Sequence, residues 1–387
     1  MRKYFILASV ALAFLLSCQQ ESSDSQQSFE VITNEKTLQL DTLYSELFEN
    51  KQFNGNVLVA EGGKIIYQKS FGLANEAEGR KLNLATAFEL ASVSKQFTAM
   101  GIVLLQKEGK LSYEDDISTH IPELNSYEGI TIQNLLTHTG GLSDYMDLAE
   151  EEWDRSQIAT NDDIIQLFQK LQPEKDFEPN ERWDYSNTGY LLLATIIERV
   201  SGKSFGNFLK EQIFEPLGME NTFVYRRRYK PEEIENYADG YIYSDSLGRK
   251  ILPDELGQDF FMVYLDGIVG DGMVNSNVYD LLKWDRALYD NQLVNAADKE
   301  KIFASYQTLD SAETDYGFGW GVDAYPDYQK IVSHSGGWAG YLTYIERHLD
   351  NDKTIIILQN NATREIEMPI NNTRRIFYGQ HVEKTIP

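Results

Sequence analysis

Ser92 and Lys95 stand three residues apart in Ala91-Ser92-Val93-Ser94-Lys95-Gln96-Phe97. A serine hydroxyl is a poor nucleophile at neutral pH. An amine partly withdrawn from water loses its proton more readily and can then take the serine's. Positions three apart share a helix face, so this spacing lets the lysine reach the hydroxyl. The residues that follow predict such a helix: Phe97, Met100, Leu104 and Leu105 fall at i, i+3, i+7 and i+8, and Gly109 closes it. At the helix start the Ser92 N–H has no intrahelical partner and can face a developing oxyanion.

Two other stretches carry polar chemistry. Trp183-Asp184-Tyr185-Ser186-Asn187 leads into a predicted helix over Thr188 to Val200. The Tyr185 phenol is donor and acceptor and can relay a proton, and Asn187 offers both a donor and an acceptor to a substrate amide. Val332-Ser333-His334-Ser335-Gly336-Gly337-Trp338 ends a predicted strand. Its glycines let a ligand lie against the strand edge, and the Gly337 N–H supplies a second oxyanion donor. Each stretch by itself also suits a structural role: a serine near a helix start, an asparagine capping the next helix, a tight turn after a strand.

The elements that must hold these groups follow from periodicity. Leu38 to Phe48 reads as an amphipathic helix. Asn54 to Ala60 and Lys64 to Gly72 read as strands around Glu61-Gly62-Gly63, a hairpin signal. Lys110 to about Glu300 is mainly helical with long loops and includes a helix over Asn277 to Leu288. Strands return at Tyr316 to Val322, Ile331 to His334, Tyr341 to Arg347 and Lys353 to Gln359. A last helix is expected over Arg364 to Tyr378. Strands at both ends with helices between predict one sheet built from both termini, interrupted by a large helical insertion.

Charge and composition narrow the partners. The chain has 60 acidic against 35 basic residues, a formal net charge of −25, so a nucleic-acid partner is not expected. Arg226-Arg227-Arg228 is the concentrated basic run and reads as a solvated loop. The single cysteine, Cys18, rules out an intramolecular disulfide and a cysteine-based metal site. The five histidines show no zinc-hydrolase spacing. His138 reads as a loop histidine at a helix end.

Met1 to Cys18 has a basic start, a short apolar run and then Leu15-Leu16-Ser17-Cys18, which resembles the lipobox of bacterial lipoproteins. The resemblance implies lipidation at Cys18, export, and a membrane contact through that anchor in the bacterial cell envelope. Residues 19–37 are a polar tether, and about residues 38–380 form the functional domain, with sheet from about 50–90 and 312–375 and the helical insertion over about 110–300.

In chain order the stretches are Ser92-Val93-Ser94-Lys95, Tyr185-Ser186-Asn187 and His334-Ser335-Gly336. This order resembles the serine β-lactamase and penicillin-binding-protein superfamily, specifically its class C β-lactamase-related branch. Leu135 to Leu142, Pro179-Asn180-Glu181, Glu215 to Met219 and Gly270 to Val274 are similar to further family landmarks. The resemblance implies an α/β (α+β) fold, an antiparallel sheet flanked by helices plus an all-helical subdomain, with the site between them. It implies Ser92 as the acylated nucleophile, with Lys95 and Tyr185 sharing the proton work and either one as the base. It places the N–H groups of Ser92 and Gly337 at the oxyanion, Asn187, His334, Ser335 and Gly336 at the substrate, and Tyr145 at the pocket border. No metal or organic cofactor is required, since nucleophile, base and oxyanion donors all come from the protein.

His334 departs from the lysine that true β-lactamases of this branch carry there. A histidine is mostly neutral at neutral pH, which weakens recognition of carboxylate-bearing substrates. The expectation is therefore a serine hydrolase acting on an ester or amide of a small molecule or peptide. The alternatives are a β-lactamase or D,D-peptidase and, from another class, a non-catalytic envelope binding protein.

Overall fold

The computed structural model describes residues 29–363 and 366–380. Cys18, its signal and most of the tether lie outside the described residues, as do residues 364–365 at the expected start of the last helix. Among the described residues no helix is long and apolar enough to cross a membrane.

Strands β1 (Gly55–Glu61) and β2 (Lys64–Phe71) are joined by Gly62-Gly63, with φ of 58° and 72°, the left-handed pair that a two-residue hairpin turn requires. From the other end of the chain come β3 (Gly321–Tyr325), β4 (Gln329–Trp338), β5 (Tyr341–His348) and β6 (Lys353–Gln359). The sheet order is β3-β4-β5-β6-β1-β2, antiparallel throughout. Both ends of the chain therefore meet in one sheet, with Val57 opposite Ile357 and Val59 opposite Ile355.

Both faces of the sheet are covered, which is why β6 is apolar without alternation. Val57, Val59, Ile355 and Ile357 pack with Leu40 and Tyr44 of α1 (Glu35–Glu49) and with Ile376 and Phe377. Leu58, Ala60, Ile356 and Leu358 point the other way, into the larger core with Phe97 and Trp284. Phe97 belongs to α2 (Lys95–Lys107), which packs beside α3 (Asn187–Ser201); Trp284 belongs to α4 (Val278–Tyr289). The terminal helix α5 (Ile370–Phe377) is shorter than its apolar pattern predicts.

The middle of the chain is not purely helical. Short strands occur at Phe223–Val224, Tyr241–Ser244, Arg249–Ile251 and Val274–Ser276. Val274–Ser276 pairs with both Phe88–Glu89 and Phe223–Val224, so it ties the insertion to the segment that enters the Ser92 turn. Segments of two to four residues are too short to show a period. The arginine run is not a solvated loop either. Arg228 Nε and Nη1 reach Asp254 at 2.8 Å and Asp266 at 3.0 Å, and Arg227 Nη1 reaches Asp239 at 3.0 Å. The Arg228 pair with Asp266 ties the loop to the segment that borders the cavity described next.

Candidate active site

The Ser92 turn is a short 3-10 segment, Ala91–Ser94, that runs directly into α2. Ala91 holds a left-handed φ of 49°, a conformation that costs about 1–3 kcal/mol and needs support from its surroundings. The support is specific. The Leu90 N–H donates to the Val274 carbonyl at 2.8 Å, and Thr343 Oγ1 donates to the Leu90 carbonyl at 2.6 Å. The Val274 N–H donates to Ser94 Oγ at 3.0 Å.

Lys95 is fully buried as the first residue of α2. Its Nζ lies 3.1 Å from Ser92 Oγ, 3.0 Å from Asn187 Oδ1 and 2.9 Å from the Asp271 carbonyl oxygen. The last two atoms only accept hydrogen bonds, so two N–H bonds of Lys95 are committed to them. The third tetrahedral position faces Ser92. In the neutral amine that position is the lone pair, aimed at the serine hydroxyl. Asn187 is the first residue of α3, and its amide orientation follows from Nδ2 donating to Asp144 Oδ2 at 3.4 Å.

Tyr185 is half-buried, and its ring centre lies 4.9 Å from Lys95 Nζ. His138 packs on this ring at 4.5 Å between centres. His138 has φ 58°, accepts the Ser186 N–H on Nδ1 at 3.0 Å, and through its carbonyl accepts the Asp184 N–H at 3.0 Å. The loop histidine at the end of helix Ile132–Leu136 is thus a buried brace for the Tyr185 loop. Burial and the Lys95 charge push its pKa well below the usual range, so it is neutral.

Strand β4 supplies the opposite wall. β3 pairs with it only from Gln329 to Ser333, and the Ser92 turn packs against the remainder. A Cβ on Gly336 would sit 2.3 Å from the Leu90 carbonyl oxygen and 2.4 Å from Thr343 Oγ1, so only glycine lets the turn approach this closely. Gly337 is exposed and lines the cavity. His334 does not line it. Its Nε2 lies 2.9 Å from the Tyr316 hydroxyl and its Nδ1 2.6 Å from the Ser335 carbonyl oxygen. Burial, with Lys95 nearby, lowers its pKa to about 3. Ser335 is exposed, and neither it nor Gly336 is part of the cavity wall.

The cavity has a volume of about 260 Å³. Of the residues named from the sequence, Ser92, Tyr145, Tyr185, Asn187 and Gly337 line it. Sequence reasoning missed Glu89, Asp271 and Trp338 on the same wall, with Met146, Leu265, Ile268 and Met273 as its apolar part. The Tyr145 hydroxyl donates to Asp271 Oδ2 at 2.9 Å, and burial raises the pKa of both side chains. Asp271 had a signal in its Gly-Asp-Gly setting and Trp338 in its place after Gly337; Glu89 had none.

Comparison with known proteins shows what the chain is similar to. The family described as Beta-lactamase matches residues 40–380. Penicillin-binding protein 4* of Bacillus subtilis (strain 168) is 47% identical over 347 residues, covering 89% of this chain and 77% of that protein. The putative penicillin-binding protein PbpX of the same organism is 31% identical over 332 residues, covering 84% of this chain and 76% of that protein. The solved structure of the octameric penicillin-binding protein homologue from Pyrococcus abyssi superposes with a TM-score of 0.74 at 27% identity, covering 92% of this chain and 80% of the other.

Proposed function

The chain belongs to the Beta-lactamase family, and we propose that it cleaves an ester or amide through an acyl intermediate on Ser92. It is a serine hydrolase of the β-lactamase and penicillin-binding-protein superfamily. One observation carries the finer reading: buried Lys95 is bound to two acceptor-only oxygens, and its remaining position faces Ser92 Oγ at 3.1 Å.

In this reading Lys95 takes the hydroxyl proton as Ser92 Oγ attacks the substrate carbonyl. The oxyanion accepts from the N–H groups of Ser92 and Gly337. The proton then passes to the leaving group, with Tyr185 beside the path, and water hydrolyses the acyl-serine by the reverse sequence. Two features weigh against a carboxylate-bearing substrate such as a β-lactam or a D-alanyl terminus: His334 is neutral, and no arginine or lysine side chain lines the described cavity. The names of the relatives support the second reading, action on β-lactams or peptidoglycan stem peptides.

p-Nitrophenyl butyrate hydrolysis by the domain from about residue 36 onward, beside its Ser92→Ala variant, tests the reading. Hydrolysis lost in the variant is expected; equal rates in both overturn it. Export and lipidation at Cys18 belong to the same proposal and rest on the Leu15-Leu16-Ser17-Cys18 sequence. Palmitate labelling of the full chain, lost on Cys18→Ser, is the expected result, and equal labelling of both forms overturns it.

A further inference from the structure

Among the described residues, Glu89 and Asp271 are the two acidic ones that line the cavity. Asp271 has a partner in the Tyr145 hydroxyl. Glu89 differs. It stands three residues before Ser92, pairs through its backbone with Asn275, and is 7% exposed. Its Oε1 is buried with no hydrogen-bond partner. Trp338 Nε1, on the same wall, is also buried and unpartnered. Unpaired buried polar atoms weaken a fold, and a ligand that pairs them recovers that loss on binding.

The two orphaned atoms ask for different partners. An indole N–H only donates, so it suits a carbonyl oxygen. A carboxyl oxygen in a cavity lined by no arginine or lysine suits a donor, and a cation above all. Burial, and after it Asp266, raises the Glu89 carboxyl to about 8, while Arg228 and Arg227 pull the other way. The empty cavity therefore holds mostly the acid form at neutral pH. A bound cation restores the carboxylate and gains a charge-assisted hydrogen bond.

We propose that Glu89 is a specificity-determining residue that binds an ammonium group on the acyl part of the substrate, so that aminoacyl amides and esters are the preferred substrates. The proposal rests on the acyl-Ser92 reading above. A substrate of this class presents its ammonium to Glu89 while its scissile carbonyl oxygen goes to the N–H groups of Ser92 and Gly337, and it brings no acyl carboxylate to a cavity lined by no arginine or lysine. Glu89 changes no bond; it selects which acyl group reaches Ser92.

The test is competition against p-nitrophenyl butyrate hydrolysis by three p-nitroanilides: butyryl, 2-aminobutyryl of either hand, and succinyl. In the wild type one hand of the 2-aminobutyryl compound should inhibit at roughly ten- to hundredfold lower concentration than the butyryl compound, the size of one hydrogen bond to a charged group. The succinyl compound should be weakest. Glu89→Gln keeps an acceptor but not the charge, and the ratio of 2-aminobutyryl to butyryl inhibition should fall toward unity. Equal or reversed potency in the wild type overturns the proposal whether or not the variant folds. An unchanged ratio in a folded Glu89→Gln protein overturns it too. Absence of Ser92-dependent ester hydrolysis is a different result: it overturns the acyl-Ser92 reading, and the proposal falls with it.

Discussion

The Tyr316 hydroxyl lies 2.9 Å from His334 Nε2, and this contact decides the charge at the end of β4. Nδ1 faces the Ser335 carbonyl oxygen, which only accepts, so Nδ1 carries the proton and Nε2 accepts from the phenol. A neutral ring with both nitrogens satisfied offers nothing to a substrate carboxylate. His334→Lys should therefore raise the acylation rate by benzylpenicillin, by about tenfold if the ammonium reaches the carboxylate. Stopped-flow acylation measures it; an unchanged rate contradicts the charge account.

The same burial makes acid pH costly. His334 titrates at about 3 in the fold against an ordinary value of 6.5, so between those values the unfolded chain binds the extra proton. Stability is then lost as pH falls through that window, and the depressed pKa of His138 acts in the same direction. Urea unfolding at about pH 7 and about pH 4 should show the loss, and His334→Gln should reduce it by roughly 1–3 kcal/mol. A parallel loss in both proteins would contradict this origin.

Glu89 has the opposite sign. Its carboxyl rises from 4.5 to about 8, so its contribution is intact below the lower value and is lost as pH rises through the upper one. Glu89→Gln should therefore stabilise the protein relative to wild type at about pH 9, by roughly 1–3 kcal/mol more than at about pH 4. Denaturant midpoints at the two pH values check it; a difference that does not grow with pH counts against a buried, uncompensated carboxyl.

Adjacent glycines on β4 should behave differently. A Cβ at position 336 collides with the Leu90 carbonyl oxygen at 2.3 Å, whereas at 337 its nearest contact is Leu342 Cδ2 at 3.7 Å. Gly336→Ala must push the strand away from the Ser92 turn. We expect a loss of about 2 kcal/mol or more and a hundredfold or larger fall in kcat/KM. Gly337→Ala should cost under about 1 kcal/mol. Thermal unfolding with steady-state kinetics separates the two, and equal losses would contradict the packing.

The sheet was legible because its strands are long enough to show a period. Gly62-Gly63 marks the first hairpin, and the Ile355 to Leu358 run reads as a strand covered on both faces. The short strands of the insertion escaped, since pairing partners far away in sequence define them and not any local pattern. The site divides the same way. The Ser92–Lys95 approach is an i, i+3 relation and can be read locally. The Asp271 carbonyl on Lys95, 176 positions along the chain, is tertiary and cannot. Tyr316 read as part of a strand; β3 in fact starts at Gly321, and this leaves the Tyr316 ring beside His334. Glu89 lies in a two-residue strand with no pattern of its own, so its place on the cavity wall had no sequence signal.

The central claim is that Lys95 makes Ser92 nucleophilic. A fluorophosphonate probe followed by peptide mass spectrometry tests it most directly, comparing wild type with Lys95→Met. The account predicts a single phosphonylated residue, Ser92, formed at least about a hundredfold more slowly in Lys95→Met. Label on another residue, or Ser92 labelled at the wild-type rate without Lys95, would contradict it.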